Sequence, residues 1–405
     1  MRKISSVLLC VVLLVVCSIP VSAEEKLKLT ARSAIVMEAE SGRIIYEDNS
    51  SEALPPASVT KVMTLLLIFE AIDQGKLALS DEITVSEHAA SMGGSQVFLE
   101  AGEVQTVEVM IKSIAVASGN DASVAMAEHI GGSEDGFVAM MNQKAKDLGM
   151  KNTVFKNCCG LDTEGHVTSA KDIAIMSREL ITKHPSVLKY SSIWMDEFIH
   201  KTKKGESVFG LSNTNKLLKQ YQGCTGLKTG STSQAKFCLS ATAKRNGITL
   251  IAVVMASNSS KDRIKDATTL LDYGFGGCRV YEAPDLKKKL KPVPVAGGEK
   301  QEAKIASKKI FRTVLINGES EDGITYNIQR KKNLKAPLKK GDAAGWITYY
   351  QNGSYIGKVQ LIITEEIGKL TFAKSVSRVL KQFLYQLAGD VSSAKSPQSI
   401  RWDKK

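Results

Sequence analysis

Pro55-Pro56-Ala57-Ser58-Val59-Thr60-Lys61-Val62-Met63-Thr64 is the stretch on which the fold turns. The two prolines hold the chain extended and exclude helix before Ala57. From Lys61 onward Val62, Leu65, Leu66, Ile68, Phe69 and Ile72 recur at helical spacing until Gly75, so a helix with a buried apolar face begins where the prolines stop. Ser58 then lies at a helix N-terminus, where the dipole favours developing negative charge, and Lys61 follows one turn later on the same face. A hydroxyl with an amine in reach suits nucleophilic attack if the amine is neutral, and burial beside a second cation would make it so. The plain alternative for S-x-x-K is an N-cap followed by an ordinary helical lysine.

Two further triplets follow in order. Ser118-Gly119-Asn120 comes after the apolar helix 107–117 and before Asp121-Ala122, at a bend between helices. There Ser118 can relay a proton to a leaving amine and the Asn120 amide can orient a substrate backbone. Lys228-Thr229-Gly230 reads as part of an edge strand, where Gly230 lets an extended substrate approach closely. Thr229 with a cation can hold a terminal carboxylate, and the backbone amides of Ser58 and Ser231 can form an oxyanion hole. Lys228 is the second cation expected beside Lys61. Each triplet alone says little, but their order and separation leave room for a helical insert and a return to a sheet around one cleft.

The surrounding pattern agrees. Ala34–Met37 and Arg43–Tyr46 read as a hairpin, 122–129, 136–148, 170–182 and 262–273 as helices, and 227–229, 236–243 and 249–255 as strands. The expected fold is α/β, an antiparallel sheet with helices plus an all-helical insert, spanning 24–280. After Cys278 the composition changes: 281–309 reads as a basic linker merging into further strands, and 310–369 as a small β-sandwich. In 370–388 Phe372, Val376, Val379, Leu380, Phe383, Leu384 and Leu387 share one helical face opposite Lys374, Arg378 and Lys381. Such a helix can lie in the headgroups of an anionic bilayer or pack on the β module. A polar tail, 389–405, closes the chain.

The chain has 405 residues, 43% hydrophobic, with net charge +12, enough for one large core and a second small one. Arg2 and Lys3, the apolar run Ile4–Val16 and Val21-Ser22-Ala23 read as a secretory leader, 1–23, which makes the protein an exported one. Five of the seven cysteines lie beyond it, Cys158, Cys159, Cys224, Cys238 and Cys278, and an odd count argues against a full disulfide framework. Cys158 and Cys159 could pair with each other only in strained geometry. His88, His129, His166, His184 and His200 show no zinc-ligand spacing, so no metal and no cofactor is expected, and no nucleic-acid partner.

Taken together, Ser58-Val59-Thr60-Lys61, Ala117-Ser118-Gly119-Asn120-Asp121-Ala122, Gly160-Leu161-Asp162 with His166, and Gly226 to Thr232 resemble the low-molecular-mass penicillin-binding proteins. The type resembled is the serine D-alanyl-D-alanine carboxypeptidase with an added β domain and an amphipathic anchor, over nearly the whole chain. The resemblance implies an acyl-enzyme on Ser58, release of the terminal D-alanine of a peptidoglycan pentapeptide stem, and covalent reaction with β-lactam antibiotics. It carries over Ser58, Lys61, Ser118, Asn120, Lys228 and Thr229, implies an arginine near the substrate carboxylate at Arg263 and a cleft histidine at His166, and places the enzyme peripherally on the outer face of the cytoplasmic membrane. Ala235-Lys236-Phe237 and Cys158-Cys159 depart from the family pattern, and neither is expected to touch a catalytic atom. A serine β-lactamase shares the S-x-x-K and K-T-G elements but has no use for a β module and a basic tail. A catalytically silent sensor would not need all six polar groups.

Overall fold

The computed structural model describes residues 26–203, 205–377, 379–380 and 384. The expected leader, the polar tail and most of 381–388 lie outside the described residues. Strand β1 (Ser33–Glu38) forms a hairpin with β2 (Ile44–Asp48). The helical region follows with α1 (Lys61–Asp73), α2 (Val107–Ala115), α3 (Asn120–Gly131), α4 (Glu134–Asp147) and α5 (Ala170–Lys183). The chain then returns to the sheet as β3 (Cys224–Thr232), β4 (Lys236–Arg245) and β5 (Ile248–Ser257), and ends the domain on α6 (Ser260–Gly277). The strands run in the order β2-β1-β5-β4-β3, all antiparallel, so β3 with Lys228-Thr229-Gly230 is an edge.

Alternation along the strands explains why this sheet is covered twice. In β5, Ile251, Val253 and Met255 pack with the helical region, whereas Ile248, Leu250, Ala252 and Val254 pack with Ala267, Leu270 and Leu271 of α6. Both faces are apolar, as a central strand between two helical layers requires. Helix starts are set by side-chain caps: Ser133, Ser169 and Ser259 accept the N–H of Gly136, Asp172 and Asp262 at 3.0–3.1 Å. Helix α1 is buried nearly all round, with ten of its thirteen residues inside, including Lys61 and Thr64. The sequence suggests one apolar face; the structure makes α1 the axis of the domain, which carries a lysine into the interior.

Two stretches differ from expectation. Met195–Thr202 and Gly205–Ser212 form a hairpin whose side chains are mostly exposed, so no apolar alternation marks it. The stretch 281–309, read as a basic linker merging into strands, holds strands already at Val293–Ala296, Glu302–Ala303 and Ile305–Ser307. Val293, Val295, Ala303 and Ile305 are buried in the core of the β module, and the intervening lysines and prolines on the outer side mask that sparse apolar pattern. The module's main sheet joins 305–307, 354–363, 343–351 and 324–330 in that order.

The β module is fastened to the first domain. Val314 and Ile316 share a core with Ile45 and Tyr46, and the Arg43 guanidinium forks onto Glu319 at 2.6 and 2.8 Å while donating to the Val314 carbonyl at 2.6 Å. That fork holds the Glu319 carboxyl below its ordinary range. Beyond it residues 372–377 are helical, and Phe372, Val379, Leu380 and Leu384 point into solvent. Among the described residues no helix is long and apolar enough to cross a membrane.

Candidate active site

Ser58 does not cap α1. It sits in a tight 3-10 turn, Ala57–Thr60, that leads into the helix without a break. Ala57 has φ +49, a left-handed backbone that a non-glycine residue adopts at a cost of order 1 kcal/mol or more. Two glycines let other segments press against this turn. A Cβ on Gly160 would lie 1.8 Å from the Ala57 carbonyl oxygen, and one on Gly230 would lie 2.9 Å from the Ser58 nitrogen. The edge strand β3 is thus laid directly on the backbone of the Ser58 turn.

The Lys61 side chain is fully buried and its Nζ has three neighbours: Ser58 Oγ at 3.1 Å, Asn120 Oδ1 at 2.6 Å and the Cys159 carbonyl at 2.8 Å. A neutral amine has two hydrogens and one lone pair. The two carbonyl-type oxygens can only accept, so the hydrogens go to them and the lone pair is left for the Ser58 hydroxyl. Burial pulls the Lys61 pKa down, against the opposing influence of Cys159, Cys158 and Asp121. Lys228 was expected to do this. Its own pKa is driven well below the ordinary lysine value, first by burial and then by Lys61 and Arg263, so the cationic crowding falls chiefly on Lys228. Its Nζ donates to the Thr229 carbonyl at 2.9 Å.

Asn120 is oriented from both ends of its amide. Its Oδ1 accepts from Lys61 and its Nδ2 donates to the Gly93 carbonyl at 2.6 Å, so it cannot flip without losing one bond. Ser118 is buried two residues before it, at φ +64 in the bend between α2 and α3. Asp121, next in the chain, receives the N–H groups of Val97, Leu99 and Ala122 at 2.9–3.1 Å and pins the 93–99 loop against α3. Thr229 pairs through its hydroxyl with Thr214, and Ser231 stands exposed at the outer end of β3.

The two residues carried over from the resemblance alone lie differently. Arg263 is buried under β3, its Nη1 donating to the Gly230 and Cys238 carbonyls at 3.3 Å each, with Nε unpaired. It therefore braces the strand that carries Thr229 and Gly230. His166 lies beside the Ser58 turn with both ring nitrogens engaged. Its Nδ1 accepts the Lys156 N–H at 3.1 Å, so the ring hydrogen is on Nε2 and is donated to Thr60 Oγ1 at 2.9 Å. One correction concerns Cys158-Cys159, whose backbone is part of the site: the Cys159 carbonyl holds Lys61, and the Cys158 carbonyl accepts from Thr64 Oγ1 at 2.7 Å.

Burial lowers the His166 pKa from 6.5 to about 4. Between those values the unfolded chain takes up a proton that the folded chain refuses, so stability is full above pH 6.5 and falls as pH drops through the window. The loss reaches about 3 kcal/mol by pH 4. Thermal melts from pH 7 to 4.5 should show a steeper decline for the wild type than for His166→Gln; parallel declines would contradict this assignment.

The model of the D-alanyl-D-alanine carboxypeptidase family matches residues 20–259, and that of the penicillin-binding protein 5 C-terminal domain matches 281–369. D-alanyl-D-alanine carboxypeptidase DacF of Bacillus subtilis is 42% identical over 86% of this chain and 89% of its own. DacA of Escherichia coli is 30% identical over 89% and 90%. The crystal structure of penicillin binding protein 5 from Haemophilus influenzae superposes with a TM-score of 0.67 at 31% identity, covering 86% of this chain and all of that one. With a buried lysine aimed at a serine on a strained turn, an amide braced beside it and K-T-G on the facing edge, the chain belongs to the D-alanyl-D-alanine carboxypeptidases, the low-molecular-mass penicillin-binding proteins.

Proposed function

We propose that Ser58 is the nucleophile of a carboxypeptidase that removes the terminal D-alanine from peptidoglycan pentapeptide stems and is acylated by β-lactams at the same oxygen. The observation that carries this reading is the three-partner environment of Lys61 Nζ: in the neutral amine the two hydrogens go to the Asn120 and Cys159 oxygens, and the lone pair is left for Ser58. Lys61 takes the hydroxyl proton as Ser58 Oγ bonds to the carbonyl carbon of the penultimate D-alanine. The amides of Ser58 and Ser231 face the developing oxyanion. A proton relayed through Ser118 reaches the leaving nitrogen, D-alanine departs, and water then hydrolyses the ester by the same base.

Lys228 and Thr229 stand on β3 at the end of the cleft that takes the carboxylate, and the Arg263 guanidinium is buried beneath the same strand. A substrate's terminal carboxylate is favoured beside these groups and an amide is not, so the enzyme should require a free C-terminus. The kcat/KM for a pentapeptide stem should exceed that for its C-terminal amide by about 100-fold or more. Comparable values on the two would remove the carboxylate assignment and favour endopeptidase cleavage instead.

The amphipathic segment beginning at Phe372 is the membrane contact in this reading, with the β module as a stalk and the enzyme peripheral on the outer face of the cytoplasmic membrane. What supports it is that Phe372, Val379, Leu380 and Leu384 are each more than half exposed. Inserting them at an interface contributes several kcal/mol at roughly 1.5–3 kcal/mol per fully buried large side chain, and each basic residue adds about 1 kcal/mol on an anionic surface. Full mature protein should float with anionic vesicles in a salt-sensitive manner, and a truncation after Ile367 should not. Equal flotation of both would assign the tail to packing.

A further inference from the structure

Beneath Lys61 the Cys158 and Cys159 side chains are completely buried, and their sulfurs face each other at 3.6 Å. Glu134, the first residue of α4, comes to the same place: its Oε1 accepts the Cys158 N–H at 3.0 Å, and one carboxylate oxygen and both sulfurs lie within 4.8 Å of one another. We propose that Cys158, Cys159 and Glu134 form a binding site for one thiophilic divalent cation of the zinc class. The dithiol is otherwise unexplained. Beyond a 3.6 Å contact of Cys159 Sγ with the Asn120 carbonyl, the pair has no stated task, and all five cysteines of the described chain are free thiols.

The geometry and the donor chemistry agree. Two thiolates each about 2.3 Å from a tetrahedral zinc stand roughly 3.8 Å apart, so the 3.6 Å sulfur pair needs almost no movement to receive one. A rotation of the Glu134 carboxylate supplies the third donor. The fourth is a water; His88 stands on the outer side of Glu134, its Nε2 3.8 Å from Oε2 and its Nδ1 held by Glu128 at 2.9 Å. His88 and Glu134 are partly exposed, which gives a cation a path from solvent that the thiols alone lack. Two sulfurs and a single carboxylate exclude magnesium and calcium, which take six or more oxygens.

Binding would staple the 157–160 loop to α4. That loop carries the Cys159 carbonyl on which Lys61 rests, so the cation acts as a brace for the general base. The two thiols lose their protons to solvent as the cation binds, so two positive charges leave for the two that arrive and little net charge is added beside Lys61.

The test uses reduced, full mature protein titrated with Cd²⁺, whose thiolate charge-transfer absorption reports sulfur ligation independently of activity. One Cd²⁺ per chain is expected, displaced by Zn²⁺ and not by Mg²⁺ or Ca²⁺. Losing a direct ligand should cost at least the 10–100-fold that loss of an outer-sphere partner costs: about 100-fold in Cys158→Ser and about tenfold in Glu134→Gln. Zn²⁺ should also raise the Tm of the wild type and leave that of Cys158→Ser unchanged. A band of equal strength in Cys158→Ser would assign ligation to Cys224 or Cys278 and overturn the proposal, as would no band in folded, reduced wild type. If Cys158→Ser does not fold, unchanged affinity in Glu134→Gln overturns it.

Discussion

Ser58→Ala should abolish both D-alanine release and covalent penicillin labelling, with kcat falling about 10⁴-fold or more. The hydroxyl is the only atom removed, and the environment that positions it survives: the 57–60 turn is held by Gly230 and Gly160 from two sides, and Thr60 is tied to His166. The variant should therefore fold, keep the wild-type Tm within about 1 °C per few tenths of a kcal/mol of change, and still bind the substrate carboxylate. Intact-mass measurement after incubation with penicillin is decisive, since a penicilloyl adduct on Ser58→Ala would place the nucleophile elsewhere.

The second large effect belongs to Lys61. Lys61→Arg keeps most of the volume but puts a permanent cation where the neutral amine accepted the proton, because a guanidinium stays protonated at any working pH. Acylation should fall about 10³-fold or more. The arginine fork also does not fit a site in which one nitrogen meets three partners at 2.6–3.1 Å. In the wild type kcat/KM should rise with pH through the depressed Lys61 pKa and then level, since the neutral amine is the active form. Lys61→Arg should lose that acid limb. An unchanged limb in the variant would assign the ionisation to another group, Lys228 first.

How far the chain could be read follows from which groups do the work. Ser58 and Lys61 were legible because helical geometry converts an i to i+3 spacing into proximity, and Asn120 and Lys228 because their triplets sit at a helix bend and on an edge strand. The carbonyls of Gly93 and Cys159 were not, although they hold Asn120 and Lys61. A backbone oxygen carries no residue identity, so no motif announces it. Cys158-Cys159 accordingly read as a remote departure when it is the floor of the site. For His166 the sequence could not show its partners: the tautomer set by the Lys156 N–H turns its other nitrogen toward Thr60. Stretch 281–309 looked like a linker merging into strands because lysine and proline dominate its composition, while the few buried positions, Val293, Val295, Ala303 and Ile305, decide its structure. Burial of Lys61 itself was the least visible point. One apolar face predicts a half-exposed helix, and only the packing of α1 against α5, α3 and α2 takes the lysine inside.

The most direct measurement is the release of free D-alanine from a muramyl pentapeptide ending in D-Ala-D-Ala, followed over time with catalytic amounts of the protein. Many equivalents of D-alanine per enzyme are predicted, with a tetrapeptide product in equal amount and none from Ser58→Ala. A single equivalent or less from wild-type protein that still acquires a penicilloyl group would contradict the account, since it would make the Ser58 site a penicillin-reactive sensor that does not turn over.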